Sequence, residues 1–180
     1  MFFFFLFFLP ERSSFPTTNT DTTGGGGGGT PGGSVYYIKC KKDGVQKSYS
    51  EYASANILDL SSGATLSIFL VAGLPNSMEG FNIGISFFNG ATIKTGTYTE
   101  GSLSPEYLVV GVYNPNSTNI VYAAGLQLFS IKPLVITILT KTTTEMTGKF
   151  EGAFYKQNLT GAPSTEYILF TEGEFKLPIK

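Results

Sequence analysis

The sequence contains no histidine and no tryptophan, and its single cysteine is Cys40. Without histidine, neither a Ser-His-Asp triad nor a Cys-His pair can form, and a zinc cluster of cysteine and histidine is excluded as well. One cysteine cannot form an intramolecular disulfide. Because Cys40 lies in a predicted strand, we expect a buried structural thiol, with an intermolecular disulfide or a reactive thiol as the alternative. We expect no enzyme, and we predict no catalytic residue, metal ligand or cofactor.

Charged residues are scarce as well. They make up 14% of the chain and the formal net charge is −1, whereas charged residues make up roughly 25% of a typical soluble domain. A chain without a basic field has little to attract nucleic acid, so we expect no nucleic-acid partner. A nearly neutral surface of Thr, Ser, Asn and Gly also opposes association only weakly. Copies of the same chain are therefore the first expected partner.

Residues 1–10 form a separate apolar segment that ends at Pro10. As a helix its apolar run would be only about 12 Å long, too short to cross a bilayer, so we predict no transmembrane span. Three interpretations stay open: the remnant of an export signal, an arm that packs against another molecule, or a misassigned start. No basic residue precedes the run, and no clear cleavage site follows it. The residues of this assembly arm are Phe2, Phe3, Phe4, Phe5, Leu6, Phe7, Phe8 and Leu9.

Residues 11–34 have the composition of a linker, rich in threonine and with glycine at every position from 24 to 29. Such a stretch cannot bury enough apolar surface to fold alone. It does not match a phosphate-binding loop, because the Lys-Ser/Thr ending is missing and no strand leads into it. We therefore predict three parts: the apolar segment over 1–10, a Thr/Gly-rich linker over 11–34 and a β-sandwich domain over 35–180.

Short segments with the alternation of a half-buried strand follow one another from residue 35 onward, at intervals of about eight to twelve residues. The pairs Asp43-Gly44 and Asn89-Gly90 are strong turn signals between such segments. Residues 50–60 could hold one or two helical turns, with 55–60 as a short strand or turn. This pattern predicts an all-β fold, an antiparallel β-sandwich that is Ig-like or jelly-roll-like, with about eight to ten strands and an extended N-terminal arm.

The last third of the chain, residues 134–177, predicts three consecutive antiparallel strands. Ile168 and Phe170 occupy even positions, whereas Phe175 and Leu177 occupy odd positions, so the apolar parity changes between them. A β-bulge near Gly173 would absorb the extra residue, since glycine tolerates the positive φ of such bulges. The alternative is that Ile168 and Phe170 face outward, towards a partner.

Two groups of side chains could form a binding site. Glu172 and Glu174 could bind calcium or act on a glycosidic bond, but no Asp-rich loop or catalytic frame surrounds them, so solvated carboxylates on a strand face are expected. Four tyrosines could build an aromatic platform for a sugar, or simply pack on a sheet face. They are Tyr36, Tyr37, Tyr49 and Tyr52.

The segments 134–137, 146–152 and 171–175, with 96–98 upstream, are similar to small secreted or surface lipoprotein domains of Bacteroidota-type bacteria. In those domains an apolar Ile-Thr strand precedes a Gly-x-Phe-x-Gly strand, and the chain closes on a Gly-x-Phe strand. The resemblance implies a surface-exposed β-sandwich of uncharacterised function. The lipidation cysteine of those proteins is missing after Leu9.

Three residues are candidate glycosylation sites. Thr22, in Asp21-Thr22-Thr23, resembles the O-glycosylation acceptor of the same bacterial group. Asn116 and Asn158 each begin an N-glycosylation triplet in a predicted loop.

The expected function is that of a non-enzymatic extracellular structural protein, located outside the cell or on its surface. Its copies would assemble into a filament or surface layer, each N-terminal arm packing into a neighbour. The alternative is a monomeric cell-surface binding module that is exported by a signal peptide. Glycans or another protein would then be its ligands.

Overall fold

The computed structural model describes residues 36–60, 65–101, 106–116, 120–125, 130–157 and 164–180. Within these ranges the regular elements are all strands, and they form one antiparallel sheet. The strands are β1 (Tyr37–Lys42), β2 (Val45–Tyr49), β3 (Glu51–Leu60), β4 (Thr65–Gly73), β5 (Gly80–Phe88), β6 (Gly96–Thr99), β7 (Tyr107–Asn114), β8 (Tyr122–Ala124), β9 (Val135–Lys141), β10 (Glu145–Lys156) and β11 (Tyr167–Pro178). The all-β prediction is confirmed, while the N-terminal arm lies outside the described residues.

The sheet folds over on itself into two layers around one core. Its strand order is β2-β1-β11-β10-β8-β7-β5-β4-β3, and β9 continues from β10 to β6. The first layer holds β2, β1, β11, β10, β9 and β6, and the second holds β3, β4, β5, β7 and β8. The short strand β8 joins the layers because it pairs with β10 on one side and β7 on the other.

The chain first crosses from one layer to the other at the corner between β2 and β3. There the backbone N–H of Ser50 donates a hydrogen bond to the carbonyl oxygen of Gly73, and Tyr52 adopts a φ of 54°. Strand β2 therefore ends at Tyr49. The helical turns considered for 50–60 are wrong: this stretch is the ten-residue strand β3, because its long pairing with β4 overrides the weak local preference.

The predicted hairpin turn at Asp43-Gly44 is confirmed. Asp43 has a φ of 48° and Gly44 a φ of 83°, so both central residues have the positive φ of a type I′ turn. Lys42 and Val45 are the last paired residues on either side. The turn fixes the register of β1 against β2, and with it which side chains point into the core.

Phe81 of β5 occupies the middle of the core. Its ring lies 4.8–6.1 Å, centroid to centroid, from five aromatic rings of both layers. These rings belong to Tyr49, Tyr113, Phe150, Phe154 and Phe170. Most of the contacts are edge-to-face, the arrangement that aromatic quadrupoles favour. One aromatic side chain thus connects the two layers.

The β-bulge expected in β11 is present, but its residues play other roles than predicted. The register of β11 shifts against both β1 and β10 between residues 170 and 174. The residue with positive φ is Glu172, at 50°, rather than Gly173. Gly173 is required for another reason: a Cβ there would lie 2.6 Å from the ring of Phe150. Since Ile168 and Phe170 are buried, the alternative of an outward-facing pair is wrong.

Candidate functional surfaces

Most of the predicted assembly and glycosylation residues lie outside the described residues. These are the assembly arm, Phe2 to Leu9, together with Thr22 and Asn158. Asn116 is described and exposed, with a φ of 65°. Its side-chain oxygen accepts a hydrogen bond of 2.9 Å from the backbone N–H of Met78. Asn116 therefore belongs to a turn at the surface, and its glycosylation stays a prediction.

The tyrosine platform does not form. Tyr49 is fully buried, whereas Tyr52 is 81% exposed on the corner between the layers. Tyr37 lies on the outside of β1, where the ammonium of Lys39 sits 4.0 Å from its ring centroid. Side chains at successive positions of a strand point to opposite faces of the sheet. Tyr37 and Tyr49 therefore lie on opposite faces, and with Tyr52 on the corner the tyrosines do not form one surface.

Cys40 is the buried structural thiol that the sequence predicts. It is fully buried in the core. Burial raises the pKa of its thiol to about 12, with a smaller contribution from the carboxylate of Glu79. The thiol therefore stays protonated and out of contact with other molecules, which excludes an intermolecular disulfide in the folded domain.

A partly buried polar network surrounds Glu79, in the turn that leads into β5. The hydroxyls of Tyr113 and Tyr49 donate to the same carboxylate oxygen at 2.7 and 2.9 Å, and Lys42 donates to Tyr113 at 2.7 Å. Burial opposes ionisation of Glu79, but the two hydroxyl hydrogen bonds outweigh it and lower the pKa of the carboxyl. Burial raises the pKa of both tyrosines. The network is therefore a fixed ionised carboxylate held by neutral hydroxyls.

Replacing Glu79 by glutamine is expected to lower the free energy of unfolding by about 1 kcal/mol near neutral pH, through loss of two charge-assisted hydrogen bonds. Because folding lowers the pKa of this carboxyl, its contribution is present above the ordinary value of 4.5 and is lost as the pH falls through the folded value. Urea denaturation at a series of pH values should show the difference between wild type and variant shrinking under acid conditions. The exposed Glu174→Gln variant is the control, and an equal change in both variants would contradict the prediction.

A second carboxylate, Glu100, is buried at the end of β6. One of its oxygens accepts a 2.7 Å hydrogen bond from the backbone N–H of Leu134, and the backbone N–H of Glu100 donates to the carbonyl of Leu134. Its other oxygen has no hydrogen-bond partner among the described residues. In the described ranges no group of three Asp, Glu, Cys or His side chains is placed to hold a metal ion. We therefore assign Glu100 to holding β6 against the start of β9.

The outer face of the first layer is charged and polar. One row of cross-strand neighbours runs through six strands, with charges of alternating sign in its middle and hydroxyls at its ends: Ser48, Lys39, Glu174, Lys149, Thr137 and Thr97. A groove of about 690 Å³ opens on this face, lined by Lys39, Gln46, Ser48, Lys149, Glu172 and Glu174. Glu172 pairs with Lys41 at 2.6 Å, and Glu174 with Lys39 at 3.8 Å. Both carboxylates are exposed and each lies beside a lysine, the arrangement of solvated ion pairs.

The outer face of the second layer has the opposite character, and we call it the uncharged face. Three rows of cross-strand neighbours cover it, and none of their side chains is charged. The rows are Leu58, Ser67, Ser86 and Leu108; Asn56, Phe69, Gly84 and Val110; and Ser54, Val71, Asn82, Val112 and Ala123. Leu58 is 48% and Leu108 41% exposed. Ser54 and Ser67 are buried, and Asn56, Asn82 and Ser86 interrupt the exposed apolar surface. Exposed apolar side chains with no charge among them favour association with another surface.

Sequence reasoning missed both the Glu79 network and the uncharged face. Glu79 gave no signal, because its partners lie 30 or more positions away in the chain. The uncharged face had a signal in the scarcity of charge between residues 60 and 125. The pairing of β3, β4, β5 and β7 was needed to show that these residues share one surface.

Comparison with known protein families, with curated proteins and with solved structures finds no match to this chain. The resemblance to bacterial surface lipoprotein domains therefore stays a prediction. No helix with the length and apolar character of a membrane span occurs in the described part of the chain.

Proposed function

We propose that this chain is a non-enzymatic extracellular structural protein whose copies assemble into a filament or surface layer. The N-terminal arm, Phe2 to Leu9, of one copy packs into a neighbouring copy. The observation that carries this proposal is the contrast between the two outer faces of the domain. The charged face is suited to contact with water, whereas the uncharged face leaves Leu58 and Leu108 exposed with no charged side chain in its three rows.

The arm adds a second apolar surface to the same chain. Burying several phenylalanine side chains would contribute on the order of 15 kcal/mol before the loss of chain entropy is counted. Little electrostatic repulsion opposes the contact, since the net charge of the chain is only −1. A contact between the arm of one copy and the domain of the next is heterologous, so it continues as a filament unless its rotation closes a ring.

Deletion of residues 1–15 tests this proposal. We expect the full chain to form large assemblies in light scattering and electron micrographs. The shortened chain should elute as a single folded chain, because the described core is built from residues 38–177. Circular dichroism of the shortened chain provides the control for folding. If large assemblies survive the deletion, the arm is not the connecting element.

The groove on the charged face favours a second candidate function, a monomeric cell-surface module that binds a glycan. Its ammonium, amide, hydroxyl and carboxylate groups offer hydrogen bonds to sugar hydroxyls. In this case residues 1–9 would be removed on export, and mass spectrometry of the mature protein would place its first residue near Glu11. An intact arm in assembled material would favour the structural function instead.

A further inference from the structure

We infer that the uncharged face is the acceptor for the arm, Phe2 to Leu9, of a second copy. This inference rests on the proposed function and adds the surface at which copies meet. The contact is centred on the row of Leu58, Ser67, Ser86 and Leu108, which spans β3, β4, β5 and β7.

The shape of this row suits aromatic side chains. Two exposed leucines stand at its ends, and the smaller side chains of two serines form a shallow trough between them, in which Ser67 is only 1% exposed. The hydroxyls of Ser67 and Ser86 are 2.9 Å apart and hydrogen-bonded to each other. Because each hydroxyl already has a partner, an aromatic ring can cover the trough at a smaller desolvation cost.

The neighbouring row extends the apolar surface. The ring of Phe69 and a methyl group of Val110 both lean over Gly84, where a Cβ would meet each of them at 3.3 Å. The partly exposed sides of Phe69 and Val110 therefore border the trough. Together the two rows place Leu58, Leu108, Phe69 and Val110 around the two serines, and apolar side chains of the arm can pack against them.

The arm matches this surface in length and charge. Eight extended residues measure about 27 Å, similar to the nine-residue strands β4 and β5 over which they would lie. Neither the arm nor the three rows of the face contains a charged residue. Residues 10–35 connect Leu9 to the described domain, and a glycine-rich chain of that length spans about 28 Å on average. The arm can therefore reach an adjacent copy.

A double variant, Leu58→Lys with Leu108→Lys, tests the acceptor in the full chain. Both positions are well exposed in the single chain, so the fold should survive, whereas a docked arm would bury two unpaired ammonium groups. We expect the concentration needed for assembly to rise at least about a hundredfold. The control variant, Val45→Lys with Leu139→Lys, adds the same charge at two exposed apolar positions outside the uncharged face and should leave assembly unchanged. A Leu58→Ser, Leu108→Ser variant repeats the test if lysine disturbs folding.

A mixing experiment identifies the source of the arm. The chain lacking residues 1–15 keeps the acceptor, and the full-length lysine variant keeps the arm. Each alone should have the mass of one chain in light scattering, and a mixture should form a pair of one copy each. A mixture that does not pair overturns the inference. The inference is also overturned if the mixture pairs but the wild-type chain stays monomeric. In that case the arm of each wild-type chain would cover the uncharged face of the same chain.

The failure of this inference is distinguishable from the failure of the proposed function. If deletion of the arm abolishes assembly but the lysine variant assembles like wild type, the function stands and the acceptor lies elsewhere. If the arm-deleted chain still assembles and the lysine substitutions disrupt those assemblies, the uncharged faces of two copies meet directly. That outcome overturns both proposals.

Discussion

Replacing Gly148 by alanine is expected to lower the free energy of unfolding by about 3 kcal/mol. Gly148 lies in β10, where it pairs with Ile138 on one side and Phe175 on the other. An added Cβ would overlap the carbonyl oxygen of Thr137 and the tip of the buried Phe175 ring. It would also lie 2.8 Å from Cε1 of that ring. A backbone oxygen cannot move away without disturbing the pairing of β9 with β10. The methyl group therefore forces a shift in two strands at once.

Urea denaturation of the variant measures this effect, and Gly73→Ala is the matched control. Gly73 also lies in a strand, but the nearest atom to its Cβ position is 3.4 Å away, an ordinary contact. We expect the control to change the free energy of unfolding by less than about 1 kcal/mol. Equal destabilisation of the two variants would show that close approach at Gly148 is not the cause.

Truncation of Phe81 to alanine is the second change for which we expect a large effect, about 4 kcal/mol of unfolding free energy. The side chain is 3% exposed, and its removal leaves a cavity between the layers that five fixed rings cannot fill. Phe81→Leu, which keeps most of the apolar volume, should cost less.

Thermal and urea unfolding of these variants should show this order, with Leu139→Ala as the control. Leu139 lies in β9 and is 50% exposed, so its truncation should cost less than about 1 kcal/mol. A similar loss for Phe81 and Leu139 would contradict the assignment of Phe81 to the middle of the core.

Elements encoded by short stretches of sequence were predictable. The turn at Asp43-Gly44 needs two adjacent residues, and both have the expected positive φ. Alternation in β10 correctly separates buried Phe150 and Phe154 from the exposed Lys149 and Glu151. In each case the signal and the structure span fewer than about ten residues, so no knowledge of the partner strand is required.

Features that depend on packing between distant strands were not predictable. The parity change in β11 predicted a bulge, and Glu172 is the residue that adopts the positive φ there. That residue 173 must be glycine follows only from the position of the Phe150 ring, which the sequence does not show. The Glu79 network likewise needs the register of β2 and β7 against the turn before β5. The uncharged face requires the order of four strands, since alternation alone does not say which outward residues become neighbours.

The position of β11 between β1 and β10 has a consequence for biogenesis. The hairpin of β1 and β2 is synthesised first among the described strands, yet its partner in the sheet, β11, is the last of them. A two-stranded hairpin is marginally stable in isolation, so the hairpin must wait, unpaired along one edge, until the eight intervening strands and β11 have been synthesised. Long-range pairing of this kind slows folding and lengthens exposure to aggregation. A holding chaperone should therefore increase the yield of this protein more than that of a sandwich whose neighbouring strands are consecutive.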